Sequence, residues 1–478
     1  MAEGTARAVH YSPDRRTALV LSGSGVDGAY HAGALRALSE AGVRLDLLAG
    51  HGIGAVGALF GAIDGGARLW DPSGLWRAAL VSELYAWRPA LRRIARGLAV
   101  SAALLVVPVL FLVLGTVAVQ GAVLLDGLWP GIAAEAGRRW GAFVAAALAP
   151  QALPARVPQV VALVVAVLVA SVLVEAVRAW RAAPARRVAR GGVWWTTLGA
   201  PLTSAAPWVV RGLWDLLRGG AQVSEPPPAE LSRRYAELLA DGLDQPGFHE
   251  LLLLAHDLDA RQDIVFALLS TPWRRAFFLR RQATGQDRRS AEAIDLAGAS
   301  RDHVLDAVCG AVSLPGATDP QLVTFAPESY WRGESHRLCA RPGALLRLLE
   351  EVAQAGVRQV ILVTASEALG TPHALSRRRL APRARLGEYL ASAEAAAVRD
   401  ALTVASGWFD ALFVVRPAHN PVMPLDTTGT FDERSDRAHG IRELVDRGYE
   451  DAYRQFIDPM VGASGEQMAA GDPVRSAE

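Results

Sequence analysis

The fold is decided by residues 45–63, Leu45-Asp46-Leu47-Leu48-Ala49-Gly50-His51-Gly52-Ile53-Gly54-Ala55-Val56-Gly57-Ala58-Leu59-Phe60-Gly61-Ala62-Ile63. A short apolar run at 45–49 leads into a glycine-rich turn and then into small and apolar residues, the order of strand, turn and helix. The same order stands just upstream, with a strand at 17–21, the turn Ser22-Gly23-Ser24-Gly25, and a helix over 28–41. Strand, glycine turn and helix in succession, twice, predict a parallel α/β sheet. Further strands are predicted at 250–255, 359–364 and 411–415, and amphipathic helices at 228–241, 342–355 and 386–405. Together they describe an α/β fold, a parallel or mixed sheet flanked by helices.

The 478 residues are 51% hydrophobic and 20% charged, against about 25% charge in soluble domains. The apolar surplus is local. Residues 97–125 carry no charge and follow Arg92, Arg93 and Arg96, and about twenty such residues suffice to cross a bilayer as a helix. A second uncharged run, 157–174, is followed by Glu175, Arg178, Arg181, Arg186, Arg187 and Arg190. The two are predicted as transmembrane helices forming a hairpin inserted into the α/β fold. The stretch between them, with Asp126, Glu135, Arg138 and Arg139, is less basic than the outer flanks. The positive-inside rule then makes this a multi-pass membrane protein with its globular part in the cytoplasm.

A shorter apolar stretch, 141–155, contains Pro150 and Pro154 and reads as interfacial or re-entrant. Ten of the thirteen tryptophans fall between Trp70 and Trp214, the distribution of an interfacial aromatic belt. The basic segment after the hairpin, with Trp194, Trp195, Trp208 and Trp214, reads either as lying on an anionic leaflet or as an ordinary flank. Ser224-Glu225-Pro226-Pro227-Pro228 marks the return to soluble sequence. Three regions follow: 1–90 and 223–478 as the two parts of the α/β domain, and 91–222 as the membrane hairpin with its tryptophan-rich segment.

Composition excludes several chemistries. All 49 strongly basic residues are arginine, which removes Schiff-base and pyridoxal enzymes and the lysine-dependent phosphate loop. A net charge of +1 gives no reason to expect nucleic acid as a partner. Cys309 and Cys339 build neither a disulfide framework nor a metal site, and read as free thiols in a reducing compartment. No apolar run precedes Thr17, so no cleavable signal peptide is expected. The ten histidines show no two-ligand helical spacing, and neither a metal nor another cofactor is expected.

Glycine turns between a strand and a helix aim backbone N–H groups at an anion, whether a nucleotide phosphate or a catalytic oxyanion. Gly23-Ser24-Gly25-Val26-Asp27-Gly28 spells the dinucleotide fingerprint. The acid that should reach the ribose, Asp46, lies near the start of the second strand and not at its end. A nucleotide-binding module stays open as an alternative. The second turn, Gly50-His51-Gly52-Ile53-Gly54, has the frame of a nucleophile elbow, Gly-x-Ser-x-Gly.

With these turns, the run Ala29-Tyr30-His31-Ala32-Gly33 and the stretch 302–316 ending in Ser313-Leu314-Pro315-Gly316, the chain resembles the patatin-like phospholipase family of lipid acyl hydrolases. The resemblance covers about residues 15–65 and 230–460. It implies an elbow serine that attacks the ester, an aspartate in an Asp-Gly loop as its base, and a first turn that holds the oxyanion. Here the serine aligns with Gly52. The Asp-Gly loop aligns with Tyr330-Trp331-Arg332-Gly333-Glu334, which sets Arg332 at the base, and Asp27 replaces the first turn's arginine. Glycine has no nucleophile, and arginine accepts no proton.

The expectation is a catalytically silent relative that retains an oxyanion-type turn (Gly23, Ser24, Gly25, Gly28) and an elbow (Gly50, His51, Gly52, Gly54), and that binds membrane lipids or organises a protein partner. The alternative is an active phospholipase-type hydrolase with a relocated nucleophile, Ser24 beside His51. Two other groups are weighed. Asp64-Gly65-Gly66 reads as a helix C-cap. His256-Asp257-Leu258-Asp259 reads as a polar strand-end turn or as an acid–base or metal site. Gly52→Ser with Arg332→Asp is the double change predicted to restore weak hydrolysis, and complete failure would mean that the groove itself has changed.

Overall fold

The computed structural model describes residues 11–462 except 64–65, 150–151, 183–199, 244, 280–288, 328–330, 367–380, 428–429 and 433–436. The chain divides into two units, 1–86 with 203–478, and 87–202. Sequence reading set the divisions at 90/91 and 222/223. The later one moves because Trp208 and Trp214 are each only 7% exposed, buried in the α/β unit with Val209 and Leu213. Those two tryptophans are core residues, not part of an aromatic belt. Trp194 and Trp195 lie outside the described residues.

The α/β unit begins as the glycine turns predict. Strand β1 (Thr17–Gly23) runs into helix α1 (Asp27–Glu40), and β2 (Leu47–Gly52) runs into α2 (Gly54–Gly61) and the short α3 (Ala67–Trp70). After the second unit come α7 (Ala206–Arg218), α8 (Pro228–Gly242), β3 (Glu250–Asp257), β4 (Gln262–Leu268), α9 (Thr271–Leu279), β5 (Ala291–Asp295) and α10 (Val304–Ala311). The hairpin β6 (Gln321–Thr324) and β7 (Ser335–Cys339), α11 (Leu345–Gln354), β8 (Gln359–Thr364), α12 (Pro382–Ala405) and β9 (Ala411–Val415) follow. A two-stranded ribbon, β10 (Thr430–Asp432) and β11 (Arg437–His439), precedes α13 (Ile441–Ala452) and a π-helical segment, Tyr453–Gly462.

The main sheet has the order β5-β4-β3-β2-β1-β8-β9. Strands β3, β2, β1, β8 and β9 are parallel, as the repeated strand–turn–helix order requires. The sheet is nonetheless mixed. β4 pairs antiparallel with β3, and β5 pairs parallel with β4, so these two run against the rest. The hairpin β6–β7 joins the far end of β3 through His256–Cys339 and Asp257–Leu338.

Both faces are covered. Ala18, Val20, Leu47, Ala49, Leu252, Leu254, Val360 and Leu362 project to one face against Leu345, Leu348, Leu349 and Val352 of α11 and Val398, Ala401 and Ala405 of α12. The alternate residues Leu19, Leu21, Leu48, Leu251 and Leu253 are equally buried on the other. Each buried Val or Leu contributes roughly 1.5–3 kcal/mol. The C-terminal ends of β1 and β2, where the glycine turns lie, are therefore held by the most buried strands of the sheet.

In the second unit, α4 (Pro89–Leu125), α5 (Ile132–Ala147) and α6 (Leu153–Ala182) follow one another. Pro89–Leu125 and Arg156–Val174 are long and apolar enough to cross a membrane, and their most apolar stretches have mean hydropathies of 2.8 and 2.7 with none of it buried. At 1.5 Å per residue, α4 is roughly 55 Å long, well beyond the ~30 Å hydrocarbon core. Its excess has a neighbour. α5 folds back on α4, with Trp140 and Phe143 packed on Phe111 at ring separations of 5.9 and 5.3 Å. Gly115 lets the Trp140 ring approach so closely that a Cβ there would lie 2.1 Å from it. The apolar stretch 141–155 thus splits between the second half of α5 and the start of α6.

Candidate functional site

The two glycine turns are bonded to each other. Gly52 has φ +58°, the left-handed conformation an elbow imposes on its central residue. The next residue, Ile53, donates its backbone N–H to the carbonyl oxygen of Gly23 at 3.0 Å. That N–H is the group an elbow normally offers to an oxyanion. A Cβ added at Gly52 would lie 2.1 Å from the same Gly23 oxygen. The space a nucleophile needs is filled by the first turn.

The first turn is filled as well. Gly25 also has φ +58°, and a Cβ there would lie 1.8 Å from the carbonyl oxygen of Pro424. That oxygen accepts the N–H of Val26 at 2.7 Å. Ser24 N–H donates to Asp27 Oδ2 at 2.7 Å, and Asp27 N–H to the Ser24 carbonyl at 3.2 Å. Asp27 is 3% exposed, and its other oxygen, Oδ1, has no hydrogen-bond partner. Burial drives its carboxyl well above the usual range; the Ser24 N–H opposes this and nearby Glu394 adds to it. An anion-binding turn has become a self-satisfied one.

Beneath the turns lies a buried polar cluster that joins four elements, β1, β2, α1 and α12. Ser22 Oγ is 2.9 Å from His51 Nε2 and 3.5 Å from Glu394 Oε2 of α12. His31 of α1 donates from Nε2 to the Ser22 carbonyl at 3.1 Å, a contact that fixes its tautomer because a carbonyl only accepts. Burial pushes His31 down to about 3 and His51 down to about 4. It pushes Glu394 up to about 7 against the Ser22 hydrogen bond. Both histidines are accordingly neutral at physiological pH.

Sequence reading paired His51 with Ser24; its partner is Ser22. The Ser22–His51 contact has the length of a nucleophile–base pair. Yet Ser22 is 0% and His51 2% exposed, so an ester has no approach to them. Gly23, Ser24, Gly28, Gly50 and Gly54 are likewise all buried.

Arg332 comes from the β6–β7 hairpin. Gly52 lies one residue beyond the pair His51–Leu254, level with Ala255, whereas β7 leaves β3 at Asp257–Leu338. Arg332 is in the tip joining β6 to β7, with φ +47°. It stands six residues past Leu338, a reach of up to roughly 20 Å for extended chain. Among the described residues no hydrogen bond or ion pair links it to either glycine turn.

His256 and its neighbours form a strand-end turn. Asp257 Oδ1 caps the N–H groups of Asp259 and Ala260, and Oδ2 holds His336 Nδ1 at 2.5 Å. His256 pairs with Asp263, which Arg341 also engages, and Asp259 pairs with Arg337. Among the described residues, no three His, Cys, Asp or Glu side chains come together as a metal site. Asp64 and Gly65 lie outside the described residues.

Two participants had no motif to announce them. Pro424 reaches the first turn from a segment without periodicity, and only the tertiary fold brings it there. Glu394 did leave a trace, because it occupies the apolar stripe Leu390, Glu394, Val398 of α12.

The chain is similar to VipD from Legionella pneumophila, a solved structure, with a TM-score of 0.32 and 13% identity, covering 93% of this chain and 67% of that one. No protein-family model and no curated protein matches it.

Proposed function

We propose that this chain is a membrane-anchored, patatin-like protein that no longer hydrolyses esters and acts by binding lipid or organising a partner at the membrane. The observation that carries this reading is the consumption of both anion-facing donors, Ile53 N–H by Gly23 and Val26 N–H by Pro424. An acyl-transfer site needs such donors free for the developing oxyanion, and losing one alone costs roughly a hundredfold or more in rate. Gly52 at the elbow and Arg332 at the aligned base position supply no nucleophile and no proton acceptor. The same filled turn argues against the nucleotide-binding alternative, since a pyrophosphate requires those N–H groups too.

The anchor is the hairpin of α4 and α6. The arginine excess on its outer flanks supports a topology with both ends, and the whole α/β unit, on the cytoplasmic side.

A second reading, an active hydrolase with a relocated nucleophile, is favoured by the 2.9 Å Ser22–His51 contact. It requires an opening that exposes Ser22. Fatty acid release from phospholipid and lysophospholipid by the purified, folded full-length chain in detergent separates the two. The silent reading expects no release above blank, and release abolished by Ser22→Ala selects the active one.

A further inference from the structure

We propose that the cavity between the Arg68–Leu75 loop and α7 of the α/β unit is a binding site for a phosphate group. The cavity, of about 80 Å³, is lined by Arg68, Ser73, Gly74, Trp208 and Arg211 among others. A single water needs on the order of 10–15 Å³ by the same measure, so a tetrahedral anion has room.

The charge balance favours an anion. Most arginines of this unit that line a structured surface are bridged, as in Arg274–Asp295, Arg341–Asp263 and Arg358–Asp410. Arg68 and Arg211 have no carboxylate partner among the described residues. The one carboxylate at the cavity, Asp215, is paired with Arg218 at 2.9 Å. Two arginines without a carboxylate partner among the described residues therefore line one cavity, and the guanidinium fork matches phosphate oxygens bidentately.

The site is also built. Leu75 N–H donates to Arg68 O at 2.8 Å and Gly74 N–H to Asp71 O at 2.7 Å, which closes the loop and fixes Ser73 between them. α7 comes so close at Gly212 that a Cβ would lie 2.5 Å from Leu75 Cδ1, and this brings Arg211 beside the loop. Trp208 is 7% exposed and stands edge-on to Trp76 at 4.9 Å. Among the described residues its indole N–H has no acceptor, an unfavourable state for a buried donor. With Asp215 engaged by Arg218, Arg68, Arg211 and this N–H are left without an acceptor oxygen carrying negative charge.

Phosphate chemistry has two sources, a phospholipid headgroup or a soluble phosphate ester, and the measurement distinguishes them. Binding of inorganic phosphate, of a water-soluble short-chain phosphatidate and of the corresponding phosphatidylcholine is titrated on the full-length chain in zwitterionic detergent. Saturable binding is expected, weakened at least tenfold by Arg68→Ala with Arg211→Ala and severalfold by Trp208→Phe, which keeps the ring and removes the N–H. Arg399→Ala, at an exposed position of α12 outside the cavity lining, retains it. All variants are checked for an unchanged melting profile, and the arginines are exposed, so folding is retained. Phosphatidate binding well above inorganic phosphate assigns a lipid headgroup, and equal binding assigns a soluble ester. No saturable binding of either, or equal binding by wild type and the double arginine variant, overturns the proposal.

Discussion

Val26 donates its backbone N–H to the carbonyl oxygen of Pro424 at 2.7 Å, and this bond closes the first glycine turn from a segment distant in sequence. The turn keeps the shape of an anion cradle while a neutral carbonyl occupies it. Ile53 and Gly23 do the same to the elbow at 3.0 Å. The consequences are measurable at single residues.

Gly25→Ala and Gly42→Ala form a matched pair. Both glycines have positive φ, +58° and +66°, but a Cβ at Gly25 meets the Pro424 oxygen at 1.8 Å while at Gly42 nothing lies within 4 Å. The exposed site costs only the backbone term, about 1–2 kcal/mol. Gly25→Ala is expected to cost about 2 kcal/mol more, through overpacking. Equal losses in denaturation of the two variants would mean that the Pro424 contact is not formed.

Gly52→Ser, alone or with Arg332→Asp, is expected to destabilise the chain by about 3 kcal/mol without creating activity. The strain at φ +58° adds to a Cβ placed 2.1 Å from the Gly23 oxygen. Thermal melting and ester hydrolysis are read together. Hydrolysis gained at unchanged stability contradicts a filled elbow.

Glu394 makes the fold sensitive to alkali. Its carboxyl is pushed from 4.5 up to about 7 in the folded chain. A group raised on folding gives stability that is fully present below its unfolded value and lost as pH rises through the folded one. The loss falls between pH 4.5 and about 7 and amounts to about 3 kcal/mol. Glu394→Gln keeps a neutral side chain at all pH, so its stability relative to wild type should rise across that window and then level off. A constant difference from pH 4 to 8 goes against the assignment.

The membrane hairpin is tested by cysteine labelling. Cys309 and Cys339 are buried, so their background is low. Gly127→Cys, between α4 and α5, is expected to react only from the side opposite the α/β unit. Labelling from the same side as an exposed cysteine placed at Arg399 contradicts a spanning hairpin.

Much of the fold was legible in the sequence, for physical reasons that also mark where legibility stopped. Strands β8 and β9 are built on the apolar runs Val360–Val363 and Ala411–Val415, and their predicted bounds, 359–364 and 411–415, are the observed ones. β4, Gln262–Leu268, was not predicted. It turns back directly from β3 at Arg261, whose φ of +58° no turn residue signals. Trp208 and Trp214 were read by their neighbours as membrane-facing, but α7 directs both into the α/β core.

At the site, the missing side chain at Gly52 and the carboxyl at Asp27 are visible from residue types alone. The pairing of His51 with Ser22 is not. Which partner the histidine takes is set by the register of β1 on β2, which places Ser22 directly beside His51. Arg332 was aligned by its glycine alone; that it sits in the tip of a hairpin whose β7 joins only the last two residues of β3 was not legible.

The most direct test of the central claim is fluorophosphonate labelling of the purified, folded full-length chain, read by intact mass and by gel. The filled turns predict no covalent adduct under conditions that label an active serine hydrolase to completion. A stoichiometric adduct that Ser22→Ala or Ser24→Ala abolishes would contradict the account.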